Sequence, residues 1–344
     1  MYHLSLPPLT DRRVSFYLAT EEYVAREKRN EQELFFTWQV KPSVIFGRHQ
    51  DIRREVNLDY CRKNVVETFR RKSGGGCVYA DLGNLMLAYI ATGDNIQFVY
   101  HQYTTMMVGA LRHLGIDASA TGRNDILVDG GKVSGTAFYQ LPGRAIVHGT
   151  LLYDTDMRHM SNCLTPDNEK LSSKGVRSVS QRITLLKEHT TLTLDEIRDG
   201  LTGFLCRGTV ALQPDDLSRI EALERQYLSE AFIMGRKNEE KSSARAKGQS
   251  QEVVRRRRME GVGTLEARIT LTNGRIDDIQ WEGDFFQTGD LKELNRRLTG
   301  ASLTRGDLLS RLPDDLSHII AGLKAETLAG MMEGSNGEEP DSHS

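Results

Sequence analysis

Hydrophobic residues in the first two thirds of the chain recur at two spacings, one typical of helices and one typical of strands. Helical spacing predicts a short helix over residues 14–25, an amphipathic helix over residues 100–114 that ends near Gly115, and further helix within residues 196–227. Strand-like runs occur at residues 34–40, 44–46, 65–69, 78–90, 126–128 and 145–153. The pattern predicts a strand-rich α+β domain with mixed or antiparallel sheets and helices on its outside.

The last third of the chain predicts a separate, smaller unit. Residues 236–258 are poor in hydrophobic residues and are the best candidate for a linker. Beyond it, apolar and polar residues alternate up to Asn273-Gly274, a pair typical of a hairpin with a type I′ turn. Two predicted helices, over residues 291–298 and 316–323, would cover the apolar face of that hairpin.

These elements divide the chain into four segments. We expect a large domain over residues 1–235, a linker over 236–258, a small α+β domain over 259–332 and a disordered tail over 333–344. The length of 344 residues fits two or three domains, and the 38% of hydrophobic residues is enough for a buried core.

Composition narrows the class of protein. The formal net charge of −2 argues against a protein that coats nucleic acid, and we interpret the arginine run at residues 255–258 as a solvated edge. The four cysteines form no CxxC pair, which disfavours a zinc site or a disulfide framework and favours a reducing compartment. The N-terminus shows no signal-peptide pattern, and no stretch approaches the roughly 18 apolar residues of a membrane span. We therefore expect a soluble, cytoplasmic protein that binds neither nucleic acid nor membranes.

One segment, residues 70–84 (RRKSGGGCVYADLGN), combines basic side chains, a hydroxyl and consecutive glycines. Its glycines can adopt backbone angles closed to other residues and expose bare N–H groups to an anion, while Arg70, Arg71 and Lys72 add positive charge. The segment lies between predicted strands and matches neither GxxxxGK[ST] nor GxGxxG, each of which leads into a helix. We interpret it as an anion-binding loop, the alternative being a flexible turn.

Two further segments of the first domain carry groups suited to chemistry. GRNDI at residues 122–126 leads through a hairpin turn to GKVSGTA at residues 131–137, and HGTLL spans residues 148–152. Taken singly, each is a weak signal, because Lys132 could be an exposed lysine after a turn and His148 a structural histidine. Their order after the glycine-rich segment is more specific than either motif alone.

In that order the three segments resemble the lipoate-protein ligases, whose superfamily includes biotin ligases and octanoyl transferases. Four further segments are similar to the family: residues 34–40, residues 43–50, KLSSKGVRSVSQR at residues 170–182 and the GDFF-containing residues 261–286. The likeness therefore covers roughly residues 16–328. The resemblance implies a biotin/lipoate ligase-like catalytic domain followed by a small accessory C-terminal domain.

The resemblance also implies a two-step reaction. Lipoate and ATP would give lipoyl-adenylate and pyrophosphate, and the lipoyl group would then pass to a lysine of an acceptor protein. The expected acceptors are the E2 subunits of 2-oxoacid dehydrogenases and the glycine cleavage H protein. The first step brings a carboxylate to an α-phosphate, two anions that repel each other, so the site needs a fixed positive charge where they meet.

The resemblance implies roles for individual residues of this sequence. Lys132 matches the essential lysine, which would bridge the lipoyl carboxylate and the α-phosphate. The residues expected to bind ATP or lipoyl-adenylate are Arg71, Ser73, Gly75, Gly76, Cys77, Val78, Tyr79, Asn84, Asn124, Asp125 and Lys132. Those expected to bind lipoate are Arg71, Lys132, Ala137, His148, Gly149 and Thr150. Asp125 is also expected to hold Mg²⁺, and an apolar lipoyl tunnel would be lined by Trp38, Val78, Tyr79 and Ala137.

Two features depart from the family pattern, and other functions stay open. Ala80 stands where many relatives have histidine, and residues 235–250 lack a tryptophan-rich segment. An ATP-independent octanoyl or lipoyl transferase would carry a cysteine nucleophile just upstream of Lys132, and residues 121–126 contain none. A biotin ligase would carry a loop of Gly-Arg-Gly-Arg character. A non-catalytic lipoate-binding protein is the third alternative, and the presence of Lys132 disfavours it.

Overall fold

The computed structural model describes residues 1–7, 12–28, 33–93, 95–120, 124–165, 183–235 and 250–334. The chain divides into two compact units, Met1–Arg236 and Lys237–Ser344. No helix within those described ranges is long and apolar enough to cross a membrane.

The first unit is built on an eight-stranded mixed sheet and a smaller three-stranded sheet. Its strands are β1 (Tyr2–Ser5), β2 (Leu34–Trp38), β3 (Ser43–Phe46), β4 (Glu67–Arg70), β5 (Val78–Ala80), β6 (Asn84–Thr92), β7 (Ala118–Ala120), β8 (Asp125–Val128), β9 (Gly131–Leu141), β10 (Arg144–Leu152) and β11 (Thr209–Ala211). The large sheet has the order β11-β1-β2-β6-β10-β9-β8-β7, and the small sheet has the order β4-β3-β5. The α+β class expected from the sequence is confirmed.

Helices cover both faces of the large sheet. The helices of this unit are α1 (Val14–Glu27), α2 (Ile52–Glu55), α3 (Leu58–Lys63), α4 (Ile96–His113), α5 (Met157–Cys163), α6 (Leu194–Leu205), α7 (Pro214–Tyr227) and α8 (Glu230–Met234). Ile146 of β10 is buried in the cluster that α1 covers, whereas Gly149 lies against Tyr103 of α4. Side chains three positions apart on a strand point to opposite faces, so α1 and α4 lie on opposite sides of the sheet.

The expected strand over residues 78–90 is two strands in two different sheets. β5 pairs with β3 of the small sheet, and β6 pairs with β2 and β10 of the large sheet. Asp81 turns the chain between them, because its carboxylate accepts hydrogen bonds from the amides of Gly83 and Asp156. The hydrophobic run does not show this break, since both strands are largely buried.

The second unit packs helices on a three-stranded antiparallel sheet. Its elements are β12 (Ser250–Met259), β13 (Gly263–Thr272), β14 (Arg275–Gly283), α9 (Leu291–Leu298), α10 (Arg305–Arg311) and α11 (Ala325–Glu333). The type I′ turn is present, with φ of 53° at Asn273 and 75° at Gly274. β12 begins at Ser250, within residues 236–258, where a linker was expected. Most of the expected tail, from residue 335, lies outside the described residues.

The predicted helix over residues 316–323 is wrong. Its hydrophobic residues are buried at helical spacing, but they are held by turns, in which the amides of Ile319 and Ile320 both bond to the carbonyl of Leu316. Gly322, with φ of 75°, ends the segment, and α11 follows from Ala325. Periodicity alone cannot distinguish one compact, buried loop from a short helix.

Candidate active site

Arg71 organises the glycine-rich loop from inside. The side chain is buried, and its guanidinium donates hydrogen bonds to the carbonyls of Ile45 at 3.0 Å, Gly74 at 2.7 Å and Gly76 at 2.7 Å. Burial lowers the pKa of Arg71 to about 10, so the group stays charged at neutral pH. Its fork holds loop carbonyls in this conformation, and its expected contact with carboxylate or phosphate stays a prediction.

The other two basic residues of the segment are also held by the protein. Arg70 Nη1 donates to the carbonyls of Arg48 at 2.7 Å and Gln50 at 2.9 Å. Lys72 Nζ lies 2.6 Å from Glu22 Oε2 on α1. The positive charges of Arg70 and Lys72 therefore contact groups of the protein itself and hold the loop in place.

The loop lies directly against the turn that follows β3. Gly75 has φ of 85°, which favours glycine, and a Cβ placed on Gly47 would come 2.2 Å from the Gly75 carbonyl oxygen. The amide of Arg48 donates to the carbonyl of Ser73 at 2.9 Å. Half-buried residues 76–78 form the more accessible part of the loop.

A β-bulge brings Lys132 to the face of the sheet that α1 covers. Ile126 pairs with Ser134, but the next residue, Leu127, pairs with Lys132, so Val133 is one extra residue in β9. A bulge of this kind turns a side chain that regular alternation would send to the other face. The local pattern of β9 does not reveal it.

Lys132 extends across the strand to a carboxylate. Its Nζ lies 2.8 Å from Asp125 Oδ1, and a Cβ on Gly135 would come 2.7 Å from that Nζ. Gly135 thus leaves the space that the lysine occupies. The Gly135 amide donates to Thr150 Oγ1 at 3.3 Å, which places Thr150 next to the lysine on the same face.

The row continues along β10 towards His148. Thr150 and His148 are two residues apart on one strand, and His148 pairs with Ala137 of β9. Lys132, Thr150, Ala137 and His148 therefore share the face beneath α1. Gly149 belongs to the other face, where a Cβ would come 2.9 Å from the hydroxyl of Tyr103.

A buried hydrogen-bond chain joins this row to the glycine-rich loop. Ser73 Oγ lies 2.7 Å from His148 Nε2, and His148 Nδ1 lies 2.8 Å from Glu21 Oε2. Arg71 Nε donates to Ser73 Oγ at 2.9 Å. A neutral histidine with its proton on Nδ1 satisfies the chain, because the serine hydroxyl then donates to Nε2 and Nδ1 donates to the carboxylate.

Two of the residues predicted to bind the nucleotide, Asn124 and Asn84, make hydrogen bonds within the protein. The carbonyl of Asn124 accepts from the amide of Thr136 at 3.0 Å, which fixes the chain just before Asp125. Asn84 is fully buried, and its Nδ2 donates to the carbonyl of Tyr79 at 3.1 Å, so it braces the β5–β6 connection.

Within the described part of the chain, no group of three histidine, cysteine, aspartate or glutamate side chains is arranged to hold a metal ion. Asp125 supplies one carboxylate beside Lys132, which fits Mg²⁺ only if substrate phosphates complete its coordination.

Three of the four predicted tunnel residues divide between two hydrophobic clusters. Trp38 packs in the α1 cluster, stacked on Tyr17 with ring centroids 4.7 Å apart, and Val78 packs against the same cluster. Tyr79 points the other way, into the cluster around α3 and α5. Ala80 is fully buried in the α1 cluster, where a histidine would require more space.

Comparison with known proteins decides the family. The family model described as the lipoyl protein ligase A/B catalytic domain matches residues 13–204, and the bacterial lipoate protein ligase C-terminus matches residues 250–332. The chain belongs to the lipoate-protein ligase family. It is 30% identical to lipoate-protein ligase LplJ of Bacillus subtilis, over 92% of this chain and 96% of the relative. It is 31% identical to lipoate–protein ligase 1 of Staphylococcus aureus, over 82% of this chain and 85% of the relative.

Solved structures of lipoate ligases share the fold. A bi-partite lipoate protein ligase of Thermoplasma acidophilum, studied with its E2 lipoyl domain, is 28% identical with a TM-score of 0.60, over 69% of this chain and 98% of its own. A lipoate-protein ligase A bound with ATP is 25% identical with a TM-score of 0.59, over 68% of this chain and 98% of its own. LipL1 of P. falciparum, in complex with lipoate, has a TM-score of 0.70 at 20% identity, over 90% of this chain and 93% of its own.

Glu21 is one residue beside this lipoate-protein ligase site that the sequence did not single out. It is fully buried, on the apolar face of α1, four residues after Tyr17 and four before Ala25. A carboxylate at this spacing within a hydrophobic stripe is a signal, because such a group is buried only with a partner. The partner, His148, lies 127 positions away in the sequence and could not be identified from it.

Proposed function

We propose that this lipoate-protein ligase activates free lipoate with ATP and transfers the lipoyl group to a lysine of an acceptor protein. The observation that carries the proposal is the row of Lys132, Thr150, Ala137 and His148 on one face of the sheet, with the glycine-rich loop joined to it through Ser73. At one end of this row, the ammonium group of Lys132 would face the reacting groups. Towards the other end, Ala137 makes the row partly apolar, as an acyl chain requires.

In the first step a carboxylate oxygen of lipoate attacks the α-phosphorus of ATP, and pyrophosphate leaves. Lys132 would lie between the two anions and lower their repulsion, while Asp125 fixes the direction of its ammonium group. Backbone N–H groups of residues 75–79 would hold the acyl-phosphate. Asp125 and the substrate phosphates would hold Mg²⁺, which supplies further positive charge when bound.

In the second step the amine of the acceptor lysine attacks the carbonyl of lipoyl-adenylate, and AMP leaves. A lysine with a pKa near 10.4 must lose its proton, which costs roughly 4–5 kcal/mol at pH 7. The mixed anhydride offsets this cost because AMP is an excellent leaving group.

Lipoyl domains of E2 subunits are the acceptors that we propose first. The Thermoplasma ligase, described together with its E2 lipoyl domain, supports this class. The glycine cleavage H protein is the second acceptor that we propose. The cytoplasmic location expected from the sequence stays a prediction.

The test combines the purified protein, lipoate, Mg-ATP and a panel of apo acceptor domains, with the mass of each acceptor as the readout. We expect ATP-dependent lipoylation that is lost in Lys132→Ala and retained in Lys63→Ala, which removes an exposed lysine of α3. Transfer from octanoyl-carrier protein without ATP would replace this proposal with a transferase function. Binding of lipoate without any modification of the panel would favour a non-catalytic protein.

A further inference from the structure

The backbone of Lys132 is held by a segment that lies about fifty residues further along the chain. Ile183 forms a parallel bridge with Lys132, and the amide of Thr184 donates to the carbonyl of Lys132 at 3.0 Å. This contact gives the carbonyl of the residue that the bulge reorients a hydrogen-bond donor.

The side chain of Thr184 is itself fixed from two sides. Its hydroxyl donates to Glu188 Oε2 at 2.9 Å, and its Oγ1 lies 2.7 Å from His189 Nε2. Because the hydroxyl has one proton and the carboxylate can only accept, His189 Nε2 is the donor to Thr184. The other ring nitrogen, Nδ1, lies 3.4 Å from Asp129 Oδ2.

Thr184 and His189 contact the chain at Lys132 and just before it. The amide of Thr184 bonds to the Lys132 carbonyl, and the ring of His189 lies beside Asp129 in the tight turn that precedes β9. Gly131 permits the close approach, since a Cβ there would come 2.7 Å from Thr184 Cγ2. The amide of Lys187 donates to the carbonyl of Tyr153 at 3.2 Å, which anchors the segment to the end of β10.

We propose that Thr184, whose side chain Glu188 and His189 hold in place, is a positioning residue for Lys132 in the adenylation step. The inference rests on the proposed function, because it assigns to Thr184 the role of fixing the position of the lysine that meets the reacting anions. The ammonium is partly buried and ion-paired with Asp125, so a shift of the backbone that carries it would weaken this contact. Misplacement of a catalytic group by about 1 Å can lower a rate by roughly 100-fold.

The experiment measures lipoate-dependent release of pyrophosphate by the full-length protein. Thr184→Val keeps the shape of the side chain but removes the hydroxyl, and we expect kcat to fall about tenfold while KM for ATP and lipoate changes less than about twofold. Thr184→Ser restores the hydroxyl and should retain more than half of the activity. Thr202→Val is the matched control, since among the described residues the Thr202 hydroxyl donates to a carbonyl of its own helix, that of Arg198.

The Lys132→Ala background distinguishes positioning from general damage. If Thr184 acts through the lysine, adding Thr184→Val to Lys132→Ala will lower the residual rate by less than about twofold. A full tenfold loss in that background, an unchanged kcat in Thr184→Val, or equal losses in Thr184→Val and Thr184→Ser would each overturn the inference. If Lys132→Ala itself forms lipoyl-adenylate at the normal rate, the proposed function fails instead.

Discussion

Arg71 is a single buried cation that organises the glycine-rich loop through its carbonyl groups. Its donors hold the carbonyls of Ile45, Gly74 and Gly76, so that these carbonyl oxygens face the guanidinium. A peptide unit whose carbonyl points inward directs its N–H group the opposite way. The charge of Arg71 therefore fixes the orientation of the peptide units of the glycine-rich loop, on which the predicted anion binding depends.

Replacing Arg71 should destabilise the protein before any substrate binds. Arg71→Met would leave several buried carbonyl groups without donors, and we expect the free energy of unfolding to fall by about 3 kcal/mol. Urea denaturation of the ligand-free protein is the measurement. Arg48→Met, at an exposed position, is the control. If Arg71→Met keeps full stability but raises KM for ATP or lipoate, the residue acts on the ligand and our interpretation of the loop is incorrect.

Gly135 offers a test of Lys132 that does not alter the lysine. The added methyl group of Gly135→Ala would meet Nζ at 2.7 Å and Cε at 3.0 Å. The flexible end of the lysine can move away, so we expect a change in the free energy of unfolding of roughly 1 kcal/mol or less, with kcat of adenylation at least about tenfold lower. Denaturation and pyrophosphate release provide the two measurements.

Gly203→Ala serves as the control for this substitution. Gly203 lies in α6, and a Cβ placed there would have no other heavy atom within 4 Å. Alanine should be tolerated in the helix and leave adenylation unchanged. Equal activity in both alanine variants would show that Lys132 does not need the space above Gly135.

At the scale of elements, helix α1 joins the parts of the site. Its adjacent buried carboxylates serve different partners: Glu21 pairs with His148 of β10, and Glu22 pairs with Lys72 of the glycine-rich loop. Tyr227 of α7 also donates to Glu22, at 2.7 Å. One helix thus sets the position of the loop relative to the large sheet.

Glu22 should make this contact sensitive to acid. Burial alone raises its pKa, but the hydrogen bonds from Lys72 and Tyr227 bring the pKa below its ordinary value. The carboxylate therefore stabilises the fold above its unfolded pKa of about 4.3, and this contribution is lost as the pH falls through the folded pKa. We expect Glu22→Gln to be about 3 kcal/mol less stable than the parent protein at pH 7, and the difference to shrink on acidification.

Denaturant unfolding between neutral and acidic pH checks this expectation. Glu27→Gln, at an exposed position of the same helix, is the control and should show little difference at any pH. A Glu22→Gln deficit that stays constant down to about pH 3 would mean that the lost stability comes from packing rather than from the charge.

At the scale of the whole molecule, each unit has its own hydrophobic core. The clusters of the first unit draw on α1, the two sheets and α7, while the second unit buries a cluster of its own between β12–β14 and its helices. The boundary near Arg236 follows α8, whose Ile233 carbonyl accepts from Arg70 Nε at 3.0 Å. The first unit therefore includes α8 as a support for the glycine-rich loop.

Residues 1–235 should fold without the second unit. We expect a single cooperative unfolding transition for this shortened chain, because its core is complete. A shorter version that ends at residue 229 lacks α8 and the Arg70 contact, and we expect it to be about 1–2 kcal/mol less stable. Thermal and urea unfolding followed by circular dichroism compare the two. Non-cooperative unfolding of residues 1–235 would show that its core depends on the second unit.

The sequence by itself determined the family, the α+β class, the glycine-rich loop, the type I′ turn at Asn273-Gly274 and the presence of Lys132 on a hairpin. Each depends on residues close together in the chain, where glycine content, turn chemistry and alternation act directly on the backbone. The helix expected over residues 316–323 marks the limit of this reasoning, since burial at helical spacing also arises in a tightly turned loop.

The tertiary structure decided which way the important side chains point. Lys132 reaches its face only through an extra residue in β9, Arg71 turns inward to loop carbonyls, and His148 meets Glu21 and Ser73 from distant parts of the chain. Local pattern sets the conformations that a segment favours. A buried charge instead takes its position from the partner that satisfies it, and packing of the whole chain brings that partner near.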